Sequence, residues 1–123
     1  LITLTIPGKP VPAVRMTGRG AHVKPNAKRY LDYKSSVGWL AKSQYKQPPM
    51  TANVAVNVTF YIHGKVRGDI DNLFKSVTDG LNKIIYKDDK QITQAVAEIK
   101  SCDKDEDHVV IEIKEARKGC DDV

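Results

Sequence analysis

Acid is nearly missing from the first half of this chain. Residues 1–67 carry 11 lysines and arginines against a single carboxylate, Asp32, whereas residues 68–123 carry 9 against 14. The net charge of +5 therefore conceals a basic half suited to a polyanion and an acidic half that reads either as solvated surface or as metal ligation. Cysteine is scarce as well. Cys102 and Cys120 are too few for a disulfide framework and too far apart for a zinc knuckle, so free thiols in a cytoplasmic protein are expected. His22, His63 and His108 lack metal-type spacing, and neither HxxxH nor CxxC occurs. Long apolar runs are absent, so no membrane span is expected, and nothing at the start predicts a signal peptide. GxSxG, the P-loop and GxGxxG are missing too, and no small-molecule cofactor is expected.

What is present fits one domain over residues 1–123. "LITLTIP" alternates apolar and polar residues up to a Pro-Gly turn and predicts a strand. "GKPVPAVRMTGRGAHVKP" reads as a long basic loop, of a length uncommon unless it binds something. From Asn26, a plausible N-cap, Tyr30, Tyr33, Val37, Leu40 and Ala41 recur at helical steps, and "QPPM" ends the helix. Trp39, Tyr30, Tyr33 and Tyr45 share that helix at core-like spacing and read as packing rather than base stacking. Asn53 to His63 alternates strictly and predicts a strand. A second helix is predicted over Ile70–Ile85, with Ile70, Leu73, Phe74, Val77, Leu81, Ile84 and Ile85 as its buried stripe. Strands over about Gln91–Ser101 and His108–Glu115, joined by "DKDED", read as a hairpin. The fold class is α+β (mixed α/β), with two main helices on a small mixed sheet of about four strands.

The chemistry concentrates where "GDIDNL" opens the second helix. One aspartate there is explained as an N-cap, since a carboxylate accepts from free N–H groups and favours the positive helix end. Two, at Asp69 and Asp71, repel each other unless a cation sits between them, and Mg²⁺ is the natural choice because it takes hard oxygen ligands and keeps several waters. Asp71, Lys75 and Asp79 fall on one helix face. Lys75 reads as a surface ion pair or as a group that neutralises a pentavalent phosphate; Asp79 reads as structural support. Asp88 and Asp89 follow a helix of roughly 24 Å at 1.5 Å per residue. To join the first pair, the chain must fold back, or a second protomer must supply the group; spacing leaves both open.

"GDIDNLFKSVTDGLNKIIYKDDKQI" (Gly68 to Ile92) resembles the signature of the RusA family of Holliday junction resolvases: Asp-x-Asp-Asn-Leu-x-Lys opening a helix, then an Asp-Asp-x-Gln turn. "IPGKPVPAVR" (Ile6 to Arg15) is similar, more loosely, to the family's proline-rich N-terminal loop. The resemblance implies that Asp69, Asp71 and Asp89 are metal-binding catalytic carboxylates, with Asp88 a further possible ligand, and that Lys75 is the catalytic lysine. It also implies a RusA-like fold, a Mg²⁺-dependent homodimer (Mn²⁺ able to substitute), four-way DNA junctions as substrate and occurrence in prophages. Paired symmetric nicks would then leave 5′-phosphates and 3′-hydroxyls. Arg15, Arg19, Lys24, Lys28, Arg29, Lys65 and Arg67 would hold the DNA backbone, in a salt-sensitive way. The alternatives are a related metal-dependent nuclease for other branched DNA and a non-catalytic basic DNA-binding protein.

Overall fold

The computed structural model describes residues 1–15 and 25–116. Its elements run β1 (Ile2–Pro7), α1 (Pro25–Gln44), β2 (Val54–Ile62), α2 (Ile70–Leu81), a 3-10 turn (Asp89–Gln91), β3 (Ile92–Ser101) and β4 (His108–Glu115). The four strands form one mixed sheet in the order β1-β4-β2-β3, as the α+β reading expects. None of the helices described is long and apolar enough to cross a membrane.

Alternation in β2 sets the core. Val54, Val56, Val58, Phe60 and Ile62 are buried on one face, where Phe60 lies opposite Val109, and Val58 opposite Ile111. β1 extends these rows with Ile6 against Val109 and Leu4 against Ile111. Val37 and Ala41 of α1, with Leu73, Val77 and Leu81 of α2, join the same cluster, so both helices pack against this apolar side. The two helices touch closely because each has a glycine at the crossing. A Cβ on Gly80 would meet Val37 Cβ at 2.8 Å, and one on Gly38 would meet the Gly80 oxygen at 3.2 Å.

Four expectations are corrected. β3 and β4 are not a hairpin: β3 pairs parallel with β2, and β2 stands between them. α2 serves as the crossover of a β-α-β unit, which returns the next strand parallel to the first, and the largely exposed β3 takes the edge. Asn26 lies within α1 rather than capping it, because the helix begins at Pro25, whose missing N–H costs nothing in the first turn. α2 stops at Leu81, four residues early. Lys83 adopts a left-handed φ of 68° and turns the chain, while Ile85 and Tyr86 stay fully buried in the reversal. The apolar period continues past the helix, so it could not mark the end. Trp39, read as packing, is 78% exposed, although Tyr30 and Tyr33 of the same helix are buried.

Candidate active site

Gly68 places the start of α2. At φ 82° it occupies backbone space that side chains avoid, and a Cβ there would meet Pro12 Cβ at 2.7 Å. The proline-rich loop therefore lies directly on the approach to the helix, and Ala13 N–H donates to the Asn72 carbonyl at 2.9 Å. This contact brings "KPVPAVR" against "GDIDN". Lys9 and Arg29 line a cavity of about 500 Å³ with Arg67, Gly68 and the loop prolines. Of the predicted DNA contacts, Arg29 and Arg67 are thus brought together. Arg15, Lys28 and Lys65 are exposed elsewhere on the surface, and Arg19 and Lys24 lie outside the described residues. Lys9, which sequence reasoning left off the contact set, lines the cavity with its chain while its ammonium turns to Asp107 at 3.8 Å and the His63 carbonyl at 3.4 Å.

Asp69 occupies the N-cap position of α2, with φ −82° and ψ 154°, yet its side chain makes no capping bond. Its backbone carbonyl accepts from Leu73 N–H at 3.0 Å instead. Capping, the bland explanation for this residue, is therefore not what its carboxylate does. Asp71, in the first turn, is exposed, and neither carboxylate has a hydrogen-bond or ion-pair partner among the described residues.

One turn on, Lys75 Nζ donates to both oxygens of Asp79, at 3.1 and 3.3 Å. Asp79 is held in turn by the Tyr30 hydroxyl of α1, which donates to its Oδ2. Burial, reinforced by the Asp79 carboxylate, pushes the Tyr30 phenol well above its ordinary range, so it remains a donor. Sequence reasoning left Tyr30 in the core and could not have found this link, because the partners are 49 residues apart.

Asp88 and Asp89 reach the same helix by the reversal at Lys83. The buried Tyr86 hydroxyl donates to the Thr78 carbonyl at 2.7 Å, pulling the returning chain against α2. Gln91 then fixes the acidic turn. Its Oε1 accepts from Lys87 N–H and Asp88 N–H, both at 2.9 Å, and its Nε2 donates to the Met50 and Ala52 carbonyls, both at 2.8 Å. Asp88 Oδ1 accepts from Lys90 N–H at 3.0 Å, completing a capping box that "DDKQ" already spells in the sequence. A hydrogen bond shared with Asp88 raises the Asp89 carboxyl, with desolvation and the charges of Asp88 and Asp79 adding to it and Lys75 opposing. Asp88 is lowered, first by the Lys90 N–H and then by Asp89. Those influences bring the acidic turn within electrostatic reach of Lys75 and Asp79 on α2.

Among the described residues no three acidic, histidine or cysteine side chains stand close enough to hold one ion. A hydrated Mg²⁺ needs only one or two carboxylates together with substrate phosphate. The donors fit it in kind: two unengaged carboxylates at Asp69 and Asp71, and at Asp88 and Asp89 a crowded pair sharing a hydrogen bond.

The family described as Endodeoxyribonuclease RusA matches residues 7–114. Crossover junction endodeoxyribonuclease RusA of Aquifex aeolicus (strain VF5) is 28% identical over 87 residues, which span 70% of this chain and 68% of that protein.

Proposed function

Because this chain belongs to the Endodeoxyribonuclease RusA family, we propose that it resolves four-way DNA junctions by metal-dependent phosphodiester hydrolysis. Asp69 and Asp71 with substrate phosphate would hold Mg²⁺, Mn²⁺ able to substitute, and Asp89, with Asp88 at the margin, would complete the ligand set once the acidic turn closes on them. The observation that carries this reading is the unengaged Asp69 carboxylate at the N-cap of α2, beside an equally unengaged Asp71. When bound, the ion supplies a more acidic water and charge neutralisation at the phosphate.

The chain's own residues do the rest. The positive end of α2 and its first N–H groups favour the incoming phosphate. Arg29 and Arg67 line the basic cavity next to Gly68 and hold the backbone there, while Arg15, Lys28 and Lys65 extend the positive surface. Lys75, aimed by Asp79, offers its ammonium to the phosphoryl oxygens as their charge grows. Asp89, whose carboxyl is raised by Asp88 and Asp79, would have their charge offset by a bound cation. A four-way junction has two-fold related arms, so a two-fold dimer would present one such site to each of two opposed strands and nick them symmetrically.

The test is nick mapping on all four strands of a labelled junction, comparing the wild type with Asp71→Asn. Binding survives or tightens in the variant, while Mg²⁺-dependent nicking falls by about 10²-fold or more. Unchanged nicking would show that the site is misassigned. Equal cleavage of three-way and flap substrates would remove the claim of junction selectivity.

A further inference from the structure

Trp39 is the chain's single tryptophan and is 78% exposed. It lines a cavity of about 710 Å³ beside the close α1–α2 crossing at Gly38 and Gly80. Lys34, Lys42 and Lys46 line the same cavity, facing a single carboxylate, Asp79. That carboxylate is already bonded to Lys75 and Tyr30, so the groove keeps an excess of positive charge. Asn82 also lines it, and its buried Oδ1 has no hydrogen-bond partner among the described residues. An exposed aromatic plane and three cations together describe a ligand with a flat face and anionic links.

We propose that this groove receives an unpaired base of the branched DNA: Trp39 stacks on the base and the three lysines hold the flanking phosphates. The inference rests on the junction-resolving reading, because Asp79 joins the groove to the catalytic Lys75. Base stacking on an aromatic side chain needs an exposed base face. A paired duplex hides its base faces, whereas the exchange point of branched DNA exposes them. A second copy of this chain fits less well, since a two-fold contact through this face would set lysines against lysines.

With one tryptophan, intrinsic emission reports this groove alone. Metal-free protein is titrated with single-stranded DNA, a four-way junction and a blunt duplex, with anisotropy of the labelled DNA followed in parallel. Single strands and junctions quench the emission saturably, and bound duplex does not. Trp39→Ala weakens single-strand binding by about 5- to 150-fold, the range that stacking on one aromatic carries, and Trp39→Phe recovers part of it. Unchanged emission at saturation overturns the proposal, as does an equal loss of affinity for duplex. Emission that depends on protein concentration without DNA, with Trp39→Ala sedimenting as a smaller species, would assign the face to a second copy and also overturn it. Junction cleavage by the same preparations separates the two claims. Cleavage with silent emission sinks the groove alone, and quenching without cleavage sinks the resolvase reading alone.

Discussion

Tyr30→Phe removes one hydroxyl and separates what stabilises the site from what acts in it. Tyr30 is 5% exposed and the Asp79 side chain 18%, so the bond between them joins a neutral donor to a largely dry carboxylate. Such bonds contribute about 1.5–3 kcal/mol. The lower end applies, because Asp79 keeps Lys75 and some solvent, giving a loss of about 1.5 kcal/mol and a fall in melting temperature of about 5–8 °C. Lys75→Met should scarcely move the melting temperature. Its side chain is 61% exposed, and with lysine N-terminal to its acid at i,i+4 the pair contributes less than about 0.5 kcal/mol. In junction nicking the order inverts. Lys75→Met loses about 10²-fold or more through its lost contact with the phosphate. Asp79→Asn, which still accepts from Tyr30 but aims the ammonium less firmly, loses about 10-fold. Tyr30→Phe loses only a few-fold. Thermal melts and single-turnover nicking on the same four proteins decide the matter. Wild-type melting of Tyr30→Phe, or full-rate nicking by Asp79→Asn, would refute the chain from Tyr30 through Asp79 to Lys75.

Asp89→Asn should raise the melting temperature of metal-free protein at neutral pH. A carboxyl raised on folding from its ordinary 3.8 favours the folded state only while protonated, so it costs stability once pH exceeds its folded value. Melts as a function of pH check the sign: the gain from the substitution shrinks as pH falls through that value toward 3.8 and vanishes below it, and a gain confined to acid pH would contradict the assignment. Gly68→Ala should destabilise by roughly 1–3 kcal/mol, because the new Cβ meets both a φ of 82° and the Pro12 ring. Urea unfolding measures the loss, and faster proteolysis within residues 8–15 would show the loop lifting from α2.

Much of the fold is legible locally because it depends on short periods. Strict alternation marked β2 within about a residue of its ends, the span read for β4 matches the strand, and helical spacing found α1 and α2. The same period misplaced the end of α2, since Ile84 and Ile85 continue it while the backbone has already turned at Lys83. It also grouped Trp39 with Tyr30 and Tyr33, because an apolar residue near the margin of a stripe looks alike whether or not a neighbour covers it. "DDKQ" could have been read further as a capping box, which would have given Gln91 its role in advance.

The sequence by itself determined the chemistry on offer: which carboxylates, which lysine, and a basic half to meet them. Residue type and short spacing carry that information. Only the tertiary structure decided how those groups meet. It inserted β2 between β3 and β4, set the proline loop against Gly68, and tied Tyr30 to Asp79 across 49 residues. It also turned the chain back at Lys83, so that Asp89 feels the charges of Asp79 and Lys75 on α2. These are contacts between segments far apart in the chain, fixed by packing at two glycines and by the burial of Tyr86, and no local pattern encodes them.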